Sequence, residues 1–156
     1  MGKKAGKWIA ILMPFAWLVV IWFFSAQTGE ESGAVSGHIV SRILGLFYPD
    51  GVPEQVRESC SFFVRKAAHM TEYAVLAVLW FRFFTFLTSW KPLLIAVVSL
   101  ALCLLCAAAD EFHQTFVAGR SGNGTDVGID FLGACIGAAV CLTWIRLRKG
   151  RAGKTA

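Results

Sequence analysis

The stretch Pro92–Gln114, PLLIAVVSLALCLLCAAADEFHQ, decides the fold. Its first 18 residues, Pro92 to Ala109, carry no charge. A run of that length is what an α-helix needs to approach ~30 Å of hydrocarbon at ~1.5 Å per residue. A bilayer core offers backbone groups no water to bond, so the run is predicted to be a membrane-spanning helix. The last five residues, Asp110-Glu111-Phe112-His113-Gln114, reverse the character of the run. Counted from Lys91, Asp110 lies ~28 Å along the helix, at the far boundary of the membrane.

Three further spans follow from the same criterion. Toward the N-terminus, a segment from after Arg65 and Lys66 to about Trp90 is broken only by His69, Glu72 and Arg82, and Trp8 to Gly29 holds 22 residues without a charge. Lys3, Lys4 and Lys7 precede that first span as in a signal peptide. A bulky Phe stands three residues before the small residues near Ser25 and Ala26, so an uncleaved anchor is expected. Toward the C-terminus, a fourth span is expected at about 127–145. The chain thus reads as one all-α polytopic membrane domain over residues 1–156, with spans at about 8–27, 66–90, 92–113 and 127–145. A hydrophobic fraction of 56% against 16% charged residues excludes a soluble or a disordered chain. The net charge of +5 follows from membrane orientation and does not point to nucleic acid.

Four spans place both termini on one side. The two tails and the short turn after the second span hold ten of the fifteen basic residues and none of the ten acids. On the positive-inside rule that side is cytoplasmic, so both termini are expected inside. All three His and all ten acids lie in the other half, so ionic chemistry is expected outside. The extracytoplasmic loop 28–64 is too short for a separate domain. Val35, Ile39, Ile43 and Leu46 repeat at helical spacing beside Arg42, which predicts a short helix lying in the outer interface. Glu30 and Glu31 read as a solvated turn. Asp50, Gly51 and Pro53 read as a second turn, with Pro53 at the first position of a helix running into the second span. The five Cys give no disulfide framework, and Cys103 and Cys106 read as packing. Trp8, Trp80, Trp90 and Trp144 near the inner boundary and Trp22 near the outer one read as an aromatic belt.

Ionisable residues at membrane depth are expensive unless paired, and mark function. In the second span Arg65, His69 and Glu72 share a face at i, i+4, i+7 with Tyr73 beside them, and Lys66 falls off that face. Measured from Arg82, Glu72 lies ~15 Å and His69 ~20 Å outward. Asp110, His113 and Gln114 share a face of the third span, followed by the polar turn Gly119-Arg120-Ser121-Gly122-Asn123-Gly124. Asp126 and Asp130 open the fourth span at i, i+4, above Gly133 and Gly137 on the same stripe. Small residues four apart mark the surface where membrane helices pack closely, so both Asp are expected to face the bundle. Three helices would then bring Arg65, His69, Glu72, Asp110, His113, Asp126 and Asp130 toward one outer pocket, with Arg120 as a lid charge.

Together, Phe24-Ser25-x-Gln27, Lys66-x-x-His69-x-x-Glu72-Tyr73, Asp110-Glu111-x-His113-Gln114, Gly119-Arg120 and Asp126-x-x-x-Asp130-x-x-Gly133-x-x-x-Gly137 resemble the VanZ-like family over roughly residues 15–140. Ala118 stands where that family commonly carries Pro. The resemblance implies a bacterial envelope protein of the group named for an accessory that protects against the glycopeptide teicoplanin. Drugs of that type carry a fatty tail and act on lipid-linked wall precursors at the outer face.

Three readings of the pocket stand at this level. In one, the acids neutralise Arg65, Lys66 and Arg120 and tie helices together. In a second, the protein is an enzyme acting on a lipid-linked envelope substrate at the outer leaflet. His69 or His113 is then the general base, with Glu72, Asp110 or Asp130 orienting it. Arg65, Lys66, Tyr73, Glu111, Gln114, Arg120 and Asp126 form the substrate-binding set. A variant has His69, Glu72, Asp110 and His113 hold a divalent metal, at spacings that match no specific signature. In the third, the pocket binds a lipid-linked precursor or a lipoglycopeptide without chemistry. The partners in view are therefore membrane lipid, a lipid-linked cell-wall precursor or a glycopeptide antibiotic, and no nucleic acid.

Overall fold

A computed structural model describes residues 2–49 and 51–152. Five helices make up the fold: α1 Gly2–Ser25, α2 Gly29–Leu44, α3 Glu54–Leu87, α4 Pro92–Gln114 and α5 Gly124–Ala152, with no strand among the described residues. Four of them, all but α2, are long and apolar enough to cross a membrane. The spans expected from sequence are present with shifted ends. Pro92 occupies the first turn of α4, and α3 stops at Leu87 before the Thr88–Lys91 turn. At the other end, α5 begins at Gly124, where the side chain of Asn123 accepts from Thr125 N at 3.1 Å.

α3 is the helix expected to run from Pro53 into the second span. Its 34 residues would measure ~51 Å, well beyond hydrocarbon thickness, so its first turns lie in the segment between the first two spans. Pro53 precedes α3 as its N-cap, with φ −56° and ψ 138°, where the sequence placed it one position later. Asp50 of the expected turn lies outside the described residues, whereas Gly51 adopts φ +103°, open to glycine at no steric cost.

α2 is longer than the predicted interfacial helix because of its start signal. Thr28 and Glu31 form a reciprocal capping box: Thr28 Oγ1 accepts from Glu31 N at 3.2 Å, and Glu31 Oε2 accepts from Thr28 N at 2.8 Å. Glu31 is therefore a cap, and these hydrogen bonds from the Thr28 backbone and side chain lower its pKa. α2 buries Ser36, Gly37 and Val40, with Gly37 packed over Arg57 and Ser61 near the start of α3. Val35, Ile39 and Ile43 stay exposed on its other face, as an interfacial helix requires.

The core runs along α3 and α5. A Cβ on Gly133 would strike the carbonyl of Met70, and one on Gly137 that of Ala74. Helix backbones touch there, with Ala134 and Ala138 completing the stripe. Farther along, Tyr73, Leu76, Ala77, Trp80, Ile21 and Cys103 form one buried cluster. Trp80 is 7% exposed and edge-on to Phe15 and Phe83 at 5.3 Å each, so it belongs to this core and not to a lipid-facing belt. Trp8, Trp90 and Trp144 are exposed as expected.

Candidate functional site

The ends of α1 and α4, the start of α5 and the N-terminal half of α3 meet at one end of the bundle. Local contacts fix this polar end. Gln114 Nε2 donates to Ser25 Oγ at 3.2 Å and to Asp110 Oδ2 at 3.1 Å, which ties α4 to α1 and orients the Asp110 carboxylate. Trp17 Nε1 donates to the carbonyl of Glu72 at 2.9 Å, which ties α1 to α3 at the same level. The loop after α4 folds back: Glu111, 5% exposed, accepts from Asn123 N at 2.9 Å, and Gly29 N donates to Ala118 O at 3.0 Å. Gly119 has φ +71° and its carbonyl lies where a Cβ on Gly29 would fall. The turn is thus pinned by a backbone contact to the start of α2, without a proline at 118.

Within this frame a polar cleft of ≈ 150 Å³ is lined by Phe62, Arg65, Lys66, His69, Gln114, Gly119, Arg120, Ser121 and Asp126. Beside it, one donor atom each from His69, Asp110 and Asp130 lies within 4.8 Å of the others. These three come from α3, α4 and α5. Glu72 Oε2 stands 3.8 Å from His69 Nδ1, too far for a hydrogen bond. Asp130 and Tyr73 are 1% and 0% exposed. His69 Nδ1, Glu72 Oε2, the Tyr73 hydroxyl and Asp130 Oδ2 are all buried without a hydrogen-bond partner.

Lys66 does not point away, as its helical position predicted. It reaches across to Asp126 at 2.5 Å and lies over the Phe62 ring at 5.2 Å from the centroid. A four-carbon stem lets the ammonium leave the face that its Cα occupies. Arg120 Nη2 donates to the carbonyl of Phe24 at 3.2 Å, so its charge sits at the rim of the cleft over the end of α1. Burial, and then the neighbouring Arg65, lowers the Arg120 pKa. A half-buried guanidinium near a second one favours an anion between them.

A sequence profile of the VanZ/LLP1 family matches residues 10–146. The chain belongs to the VanZ/LLP1 family. No curated protein and no solved structure matches it. Family membership and four apolar helices together make it a multi-pass membrane protein. In this VanZ/LLP1 chain the structure divides the residues expected at the site. His69, Glu72, Tyr73, Asp110 and Asp130 form its depth, and Arg65, Lys66, Gln114, Arg120 and Asp126 form or border its mouth.

Two residues of this VanZ/LLP1 chain fall elsewhere. His113 packs on the exposed indole of Trp22, with ring centroids 5.1 Å apart and planes at 44°, and is not among the cleft residues or the His69 cluster. Glu111 holds the loop through Asn123. Sequence reading placed Ser25 in the family motif without a site role and passed over Phe62; Ser25 is the fully buried partner of Gln114, and Phe62 lies under the Lys66 ammonium. Ser25 closes an apolar span two residues before Gln27, a signal for an inward polar group.

Proposed function

We propose that this VanZ-like protein works at the extracytoplasmic face of the bacterial cytoplasmic membrane, with both termini inside, and acts as an enzyme on a lipid-linked envelope substrate. In this reading it lowers teicoplanin susceptibility. Arg65 and Arg120, with Lys66, draw an anionic headgroup into the cleft. His69 with Asp110, Asp130 and Glu72 performs the chemistry beneath it. The observation that carries the reading is an imidazole beside three carboxylates, from three helices, under a cleft whose mouth is cationic. An ion-pair network accounts for Asp126, which has Lys66. It does not account for Asp110, Asp130 and Glu72, none of which pairs with a Lys or Arg among the described residues. The basic distribution along the sequence supports the orientation.

The test takes a host in which the intact protein raises teicoplanin tolerance and compares variants at matched membrane abundance. His69→Gln and Asp130→Asn should lose protection fully, since acid–base groups contribute ~10²- to 10⁴-fold. His113→Gln should keep most of it. Graded partial losses across His69, Glu72, Asp110 and Asp130 variants would instead indicate a binding pocket for a precursor or a lipoglycopeptide. Full protection by all of them would end the functional reading of the cluster.

A further inference from the structure

The buried carboxylates of the polar end lack a cation of their own. Lys66 is engaged by Asp126, and neither Asp110 nor Asp130 meets a Lys or Arg among the described residues. Asp130 is 1% exposed, and its Oδ2 is buried with no hydrogen-bond partner. One helical turn beyond His69 on α3, the Tyr73 hydroxyl is also buried and unpartnered. Unpaired carboxylates at membrane depth are strongly disfavoured, and here two of them converge with an imidazole.

We infer that His69, Asp110 and Asp130 bind a divalent transition-metal ion, Zn²⁺ or Mn²⁺, where α3, α4 and α5 meet. The inference rests on the reading of this cluster as the working site, and extends it by naming a cofactor. The donor set is one imidazole nitrogen and two carboxylate oxygens, all within 4.8 Å of one another. Donors around a tetrahedral ion with bonds of about 2.1 Å stand about 3.4 Å apart, so side-chain movements of about an ångström close the site. Imidazole favours Zn²⁺ and similar ions over Mg²⁺ or Ca²⁺, and carboxylates admit Mn²⁺.

The surroundings are those of supported ligands. Gln114 Nε2 holds Asp110 Oδ2 at 3.1 Å and leaves its other oxygen free for an ion. Glu72 Oε2, 3.8 Å from His69 Nδ1, needs a shift of under an ångström to accept a hydrogen bond from it, which leaves Nε2 as the ligand atom. Two negative charges then meet two positive ones, and three protein ligands leave positions open to an oxygen of a phosphate or carboxylate headgroup. In this arrangement His69 serves as a ligand and not as a free base. The ligand set differs from the one composed on sequence spacing: Asp130 enters, His113 leaves, and Glu72 stands behind His69.

The full chain is purified in detergent without immobilised-metal resin. Its bound metals are measured by mass spectrometry, and its melting temperature is followed after EDTA treatment with ZnCl₂, MnCl₂ or MgCl₂ added. The wild type should carry about one Zn²⁺ or Mn²⁺ per chain, or regain it, and should melt higher with that ion than with Mg²⁺. His69→Gln, Asp110→Asn and Asp130→Asn should each bind the ion more than about tenfold more weakly. A Cys103→Ala/Cys106→Ala variant should keep it. A wild-type chain that neither retains nor responds to Zn²⁺ or Mn²⁺ overturns the inference whatever the variants do, as does binding lost only in the Cys variant. Absent binding with protection still abolished by Asp130→Asn would sink the metal site alone. Metal binding with full protection by every variant would sink the functional reading alone.

Discussion

The two halves of α3 face the same neighbours and are built on opposite rules. From Ala74 to Leu87, contact is close and apolar: Ala74 meets Gly137 backbone to backbone, and Leu76, Ala77, Trp80 and Phe81 are buried. Up to Tyr73, the same helix presents Lys66, His69 and Glu72 to Asp126, Asp110 and Asp130. Four polar atoms there, on His69, Glu72, Tyr73 and Asp130, are buried without hydrogen-bond partners, against one, Trp80 Nε1, in the C-terminal half. Buried polar groups are ordinarily satisfied, and leaving them unpaired works against folding. The C-terminal half therefore holds the bundle together. The N-terminal half spends part of that stability on a polar site.

Substitutions in the two halves should separate accordingly. The strongest structural effect is expected at the seam, where Gly137→Leu would force a side chain into the Ala74 carbonyl. Overpacking a close interface costs ~1 to 3 kcal/mol, so folded yield and melting temperature in detergent should fall. An unchanged Gly137→Leu chain would place that face against lipid and remove the inward orientation of Asp130. A smaller effect is expected outside both halves, at the α2 cap, where Thr28→Ala should cost about 1 kcal/mol of α2 stability. Hydrogen exchange confined to α2 would register it. The hydrogen bonds that lower the Glu31 pKa favour its charged form. The box should therefore be complete at neutral pH and weaken only as acid takes pH down through that lowered pKa.

Much of this was legible in the chain, for identifiable reasons. Charge-free runs long enough to cross a bilayer have few alternatives, so four spans could be read directly. The Asp126, Asp130, Gly133, Gly137 stripe could also be read, since all four lie one turn apart and only a packed face tolerates them. Side-chain reach was less accessible. Lys66 leaves its helical face because its stem is long. Trp80 sits at a depth that suits a belt, and only tertiary packing turns it inward. Asp110, His113 and Gln114 cover about 100° of helix surface, wide enough for two neighbours. Gln114 turned to Ser25 and His113 to Trp22, which spacing alone does not decide. The extension of α3 ahead of the second span was legible in Pro53, whose fixed φ suits the start of a helix. In the structure Arg57 pairs with Glu54 at i, i+3 on the surface of a helix. The capping box was present as Thr28-x-x-Glu31 and was outweighed by the reading of two adjacent acids as solvated.

The contrast within α3 rests on Asp130, the most buried of the site carboxylates, 1% exposed with one oxygen unpartnered. Asp130→Asn keeps its shape and removes its charge. The decisive measurement pairs the melting temperature of the EDTA-treated Asp130→Asn chain in detergent with its teicoplanin protection at matched membrane abundance. A polar site maintained against stability predicts a melting temperature equal to or above that of the equally treated wild type, together with lost protection. A fall of several degrees, with protection retained by the chains that still fold, would make Asp130 a structural residue and contradict the account.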